Sequence, residues 1–206
     1  MAISNLLNTF PPASESTPQV GPLGLLLAAG RGMRFDPEGI DNKLLARLPD
    51  GEIVVVAAAR QMLEVLPVLA VVSSLDCEVA HRLAALGCAL VACEDAGTGM
   101  SASLMCGIQH AHNAAGWIIA LGDMPFVQAS THRGLLAALR DEVDLAVPTY
   151  GGKRGNPVAF SQRHRHALLQ LSGDRGARQL LERFAVHEIP VNDAGIHRDI
   201  DTRADL

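Results

Sequence analysis

The sequence has no block of positive charge. Its 206 residues carry 17 Lys and Arg against 22 Asp and Glu, a formal net charge of −5. Non-specific nucleic-acid binding depends on a positive face that replaces counterions on phosphates, so no nucleic-acid partner is expected. Long apolar runs are missing too, and none approaches the ~20 residues that a bilayer-spanning helix needs. The opening stretch, MAISNLLNTFPPASESTPQVGP, lacks the basic n-region and extended apolar h-region of a secretory signal before Pro11. These absences predict a cytoplasmic protein with no membrane partner. Cysteine is scarce, and Cys77, Cys88, Cys93 and Cys106 form no CxxC pair, so a disulfide framework is not indicated. Nor is structural zinc: there is no HExxH, and a spacing of two puts His110 and His112 on different faces of a helix. No Ser/His/Asp or Cys/His constellation, internal repeat or dividing linker stands out.

What is present is an alternation of apolar runs and helical patterns. The length suits one domain with a sizeable core, since a domain of ~150 residues already buries roughly 70% of its unfolded surface. We expect a mobile tail over 1–22, rich in Pro, Ser and Thr without a sustained apolar period, and a single domain over 23–206. Helices are predicted over 54–66, over 76–86 with Asp76 as N-cap, and over 101–111 and 130–140. Strands are predicted from Leu25 and over 68–74, 89–92, 117–121, 145–148 and 157–160. Such alternation implies right-handed crossovers and a three-layer α/β/α fold around a mainly parallel, Rossmann-like sheet. A further helix is expected to open at Gly173-Asp174-Arg175-Gly176, with Asp174 able to cap it.

The stretch from Leu25 to Lys43, LLLAAGRGMRFDPEGIDNK, carries the strongest chemistry. An apolar strand empties into a loop with Gly30 and Gly32, whose backbone N–H groups can cradle phosphate, while Arg31, Arg34 and Lys43 add cationic side chains. The loop lacks the GKS or GKT ending of a Walker loop and is not GxGxxG. An ordinary strand-to-helix turn with surface cations has the same letters. A second run, Trp117 to Pro125, reads WIIALGDMP and places Asp123 at the carboxyl end of a strand. Ligands collect outside the carboxyl ends of parallel strands, so the two loops belong to one crevice. A carboxylate beside a triphosphate is a usual holder of Mg²⁺, although Asp before Pro also serves as a cap or turn former.

LAAGRGMRF, NKLL, GMSASLMCGI, LGDMPFV, GNPVAFS, LSGDRGARQLL and DIDTRADL resemble, in this order, the motifs of the MobA-like nucleotidyltransferases. The resemblance runs from about Leu25 to Leu206 and is greatest to the cytidylyltransferases of molybdenum cofactor. It implies the nucleotidyltransferase type of α/β fold and the transfer of CMP from CTP to the terminal phosphate of molybdopterin. It also implies Mg²⁺ as cofactor, and a molybdoenzyme or its maturation factor as a further partner. Carried onto this chain, Arg34, Lys43 and Asp123 are catalytic, and Leu27, Ala28, Ala29, Gly30, Arg31, Gly32, Gly99 and Ser101 bind the nucleotide. Arg154, Gly155, Asn156 and Pro157 meet the acceptor, beside Lys153, although a solvated hairpin fits TYGGKRGN equally. Asp123 and Asp201 hold the metal, with Asp199 a nearby competitor and helix capping an alternative role.

Two departures stand out. The family commonly has RMG in the first loop and Pro in the last motif, where this chain has Phe35 with Asp36, and Arg203. The doublet Ala28-Ala29 resembles the pyrimidine-using branches, whereas guanylyltransferases tend to carry a glycine there. A cytidylyl-, uridylyl- or guanylyltransferase with another phosphorylated acceptor, and a non-catalytic cofactor carrier, are the alternatives.

Overall fold

A computed structural model describes residues 21–30, 35, 41–173 and 176–206. Among these, eight strands form one sheet. β1 (Leu23–Leu27), β2 (Val68–Val72), β3 (Ala89–Ala92) and β4 (Gly116–Leu121) run parallel in the order β3-β2-β1-β4. β1 and β2 are continuous apolar runs because both of their faces are covered. Leu25 lies between Leu69 and Ile119 and joins the core under α3 (Met100–His110), α5 (Arg165–Leu168) and α6 (Arg178–Leu181). Leu26, the next residue, turns to the other face, towards α1 (Val54–Leu63), α2 (Glu78–Ala85) and α4 (Ala129–Arg140). The period-two alternation of strand side chains therefore builds the two outer layers.

The second half of the sheet departs from simple alternation. β5 (Leu145–Tyr150) is followed by a two-residue turn, Gly151-Gly152, with φ of 58° and 74°, and by the short β6 (Lys153–Arg154). Two positive φ angles match the twist of a tight hairpin, and glycine adopts them without a Cβ penalty. TYGGKRGN thus is a hairpin. β7 (Val158–Ser161) then inserts antiparallel between β4 and β5. β8 (His187–Pro190) adds parallel to β5, a strand that the polar sequence HEIP does not announce. The sheet remains mainly parallel.

Three local expectations need correction. α2 begins at Glu78 with Cys77 as its N-cap, the thiol accepting from the Ala80 N–H at 3.4 Å; Asp76 lies outside the helix. α3 ends at His110, so His112 falls in the following turn rather than on another helix face. The helix expected from Gly173 starts only at Arg178, and Asp174 lies outside the described residues. The four cysteines are free thiols, and burial pushes Cys88 up to about 12. Among the described residues, no helix is long and apolar enough to cross a membrane.

Candidate active site

The parallel register of β1 and β4 sends their two following loops out side by side. It continues past the strands, where the Gly122 N–H donates to the Leu27 carbonyl at 2.9 Å. Asp123 follows, in the turn after β4. Lys43 opens a 3-10 turn, Lys43–Leu45, capped by Asn42, whose Oδ1 accepts from the Leu44 N–H at 3.0 Å. Leu44 sinks into the core and carries Lys43 inward with it. The third arm is the segment 191–201 that follows β8. Its Ile200 N–H donates to the Asp123 carbonyl at 2.8 Å, which fixes Asp201 beside the β4 turn.

Three charged side chains from these three arms meet. Lys43 Nζ donates to Asp123 Oδ2 at 2.6 Å and to Asp201 Oδ1 at 3.1 Å. Burial works to lower the Lys43 pKa, but the Asp123 carboxylate, and after it Asp201, hold it above its ordinary value. Asp123 Oδ1 is buried with no hydrogen-bond partner among the described residues. Two converging carboxylates, one with a buried unsatisfied oxygen, suit a hard divalent cation that takes the place of the ammonium. The described residues hold no cluster of three or more His, Cys, Asp or Glu side chains able to bind a metal. Asp199 is exposed, and neither Lys43 nor Asp123 bonds to it.

The other expected residues sit as follows. Leu27 ends β1; Ala28 and Ala29 are buried, and Gly30 is exposed with open space around its α-carbon. Arg31, Gly32, Arg34 and Asp36 lie outside the described residues. Gly99 has φ of 134° at the entry to α3, an N-terminus without a side-chain cap. Ser101 is buried in the first turn, its Oγ unpartnered among the described residues and its N–H donating to the Gly173 carbonyl at 3.2 Å.

In the third loop, Arg154 of β6 pairs across β5 with Glu188 of β8 at 2.7 Å. Lys153 is exposed, and its carbonyl meets the His197 ring at 3.2 Å. Gly155 is pressed against Ile196: a Cβ there would lie 2.6 Å from the Ile196 carbonyl oxygen. The Asn156 N–H donates to that same carbonyl at 3.0 Å, and the Asn156-Pro157 peptide is cis.

The two departures noted in the sequence meet in space. Phe35 is buried among Leu48, Val54, Ala57 and Ile200, and the Arg203 guanidinium lies over its ring, 5.2 Å from the centroid, while also pairing with Asp41. Arg203 begins a 3-10 turn capped by Thr202. The Thr202 hydroxyl and N–H, with the Asp201 N–H, hold the Asp205 carboxyl below its usual range. Sequence reasoning also missed Asp193, a buried carboxylate with three donors. An Asp two residues before Gly signals a turn, but not burial.

Comparison with known proteins identifies the family and the fold. Residues 24–189 match the family described as the MobA-like NTP transferase domain. No curated protein matches the chain. Among solved structures, Rv0371c of Mycobacterium tuberculosis H37Rv is 27% identical with a TM-score of 0.75, over 91% of this chain and 95% of that one. A homologue of it from Mycobacterium sp. strain JC1 is 30% identical with a TM-score of 0.77, over 89% and 92%. Rv0371c has also been solved as a complex with manganese. Molybdopterin-guanine dinucleotide biosynthesis protein A of Archaeoglobus fulgidus, at 18% identity and a TM-score of 0.66 over 89% and 94%, shares the fold.

Proposed function

The chain belongs to the MobA-like NTP transferase family, and from that premise we propose that it transfers CMP from CTP to the terminal phosphate of molybdopterin, releasing pyrophosphate. The meeting of Lys43, Asp123 and Asp201 carries the reading, because it gathers from three separate arms what phosphoryl transfer needs. An acceptor phosphate oxygen attacks the α-phosphorus in line. A P–O bond forms there, the bond to the β-phosphate oxygen breaks, and pyrophosphate leaves with the electron pair. The attacking oxygen is already ionised, so positioning and charge neutralisation suffice, without a strong general base. Asp123 and Asp201 would hold Mg²⁺, which when bound neutralises phosphate charge and orients oxygens. Lys43, as a compact point charge, would neutralise the leaving pyrophosphate together with Arg34.

Support for a pyrimidine comes from the doublet Ala28-Ala29, which resembles the pyrimidine-using branches and is buried where β1 ends. Gly99 and Ser101, at the uncapped start of α3, would meet the nucleotide. Gly155, Asn156 and Pro157 would meet the acceptor, joined by the Nη groups of Arg154, whose Nε–H is engaged by Glu188. The test is pyrophosphate release across the four nucleoside triphosphates, with and without molybdopterin. Release that needs CTP, Mg²⁺ and molybdopterin is expected. Release with GTP moves the chain to the guanylyl branch, release with CTP and a different acceptor replaces the acceptor, and binding of the pterin without any release makes the protein a carrier.

A further inference from the structure

The segment 191–201 touches the Lys43 turn, the Asp123 turn and the Asn156 loop, and one buried side chain fixes it in place. Asp193 is 1% exposed. Its Oδ2 accepts from the Gln128 N–H at 2.9 Å and from the Thr131 hydroxyl at 2.6 Å, both at the N-terminus of α4, which has no cap of its own. Its Oδ1 accepts from the Gly195 N–H at 2.9 Å and so turns the segment back on itself. Gly195 is then jammed against the loop after β4: a Cβ there would lie 2.0 Å from the Phe126 carbonyl oxygen. The next residue, Ile196, accepts from Asn156, and Ile200 donates to the carbonyl of Asp123. One residue later, Asp201 reaches Lys43. A single carboxylate thus sets the height of the segment that seats the Asn156 loop on one side and Asp201 on the other.

From this connectivity we infer that Asp193 is a positioning residue for the transfer reaction, fixing the Asp201 carboxylate and the Asn156 loop relative to one another. The inference rests on the proposed transfer for its kinetic consequence, though not for its structural one. Carboxylate acceptors of backbone N–H groups are strong and directional, and a buried donor left without its partner forces the chain to move. A displacement near 1 Å of a group that positions reactants costs about a hundredfold in rate.

Substitutions at two positions, of different severity, test this. Thr131→Val removes one donor at nearly constant shape, and Thr131→Ser restores it. Asp193→Asn keeps the size but sets an amide N–H₂ against at least one of the three donors. Melting curves of all three variants fix a temperature at which each is folded, and kinetics are measured there beside Mn²⁺ binding followed by calorimetry. We expect kcat to fall by about ten- to a hundredfold in Asp193→Asn, with a smaller fall in Thr131→Val that Thr131→Ser reverses. Acceptor KM should rise and Mn²⁺ affinity should drop, while nucleotide binding in the absence of metal stays at the wild-type value. A lowered Tm with wild-type kcat, acceptor KM and Mn²⁺ affinity would reduce Asp193 to a structural cap and overturn the inference. If the wild type turns over no nucleotide, the proposed function fails and the Mn²⁺ measurements alone decide: equal affinity in wild type and variants overturns the positioning role, weaker affinity in the variants upholds it.

Discussion

Replacing Lys43 with Met keeps an aliphatic stem of similar length and removes the charge that Asp123 and Asp201 share. At about 3 Å and an effective dielectric near 20, each contact has a gross Coulomb energy of roughly 5 kcal/mol, most of it offset by desolvation. The Asp201 side chain is 34% exposed, so its pair contributes on the order of 0–1 kcal/mol. The Asp123 pair is drier, with side-chain exposures of 11% and 19%. Breaking a fully buried pair costs about 3–5 kcal/mol, and this partly wet one should cost roughly 2–3. For a chain of this length that is a drop in Tm of about 5–10 °C.

The folded-state pKa of Lys43 is raised above 10.5. Its contribution is therefore fully present below pH 10.5 and lost as the pH rises through the folded value, so the deficit should hold through neutral and mildly alkaline pH and close above it. Mn²⁺ or Mg²⁺ should narrow the gap. In the wild type a divalent ion held as proposed would compete with the ammonium for the same oxygens, whereas in Lys43→Met it would meet bare carboxylates. At a hundredfold excess over Kd it restores about 2.7 kcal/mol. Scanning calorimetry with and without metal measures all three effects. Equal Tm values without metal, or equal metal-induced shifts in both proteins, would refute the shared-site reasoning.

Asp123→Ala should abolish Mg²⁺-dependent turnover and leave the fold intact; near-normal rates at saturating Mg²⁺ would remove Asp123 from the mechanism. Asp201→Asn should weaken Mn²⁺ binding by about tenfold or more while Asp199→Asn leaves it unchanged, and the reverse ranking in calorimetric titrations would exchange their roles. Ala29→Gly should relax the preference for CTP towards GTP by ~1–3 kcal/mol in competition assays, without reversing it, and a wild type that already prefers GTP would sink the cytidylyl reading. Burial, against the opposing pull of Asp193, pushes the His132 imidazole down from 6.5 to about 4. The unfolded chain therefore takes up a proton that the folded one refuses, and stability should fall by about 3 kcal/mol as the pH drops from 6.5 to 4. Denaturant titrations of His132→Leu should lose that part of the acid slope, and an unchanged slope would contradict it.

The sequence by itself determined the parallel half of the fold. Short continuous apolar runs such as LGLLL and VLAVV, alternating with helical patterns, suit strands covered on both faces, and the helices supply the covers. It also marked Lys43 and Asp123 as site candidates, because loops at the carboxyl ends of parallel strands share one crevice. What it left open depended on contacts between residues far apart in the chain. β8 is polar and mostly exposed, and pairing with β5 alone makes it a strand. The antiparallel insertion of β7 follows from the Gly151-Gly152 reversal and the space between β4 and β5, neither of which hydropathy encodes. Asp199 and Asp201 are equivalent as letters two apart. It takes the hydrogen bond from Ile200 to the Asp123 carbonyl, on a segment tied down by Asp193, to set the register so that Asp201 reaches Lys43 while Asp199 lies in solvent. Asp193 reads as a turn former, which its bond from the Gly195 N–H bears out, and becomes a buried tie only when the start of α4 brings it two more donors across 62 to 65 residues of chain, a convergence that no local pattern records.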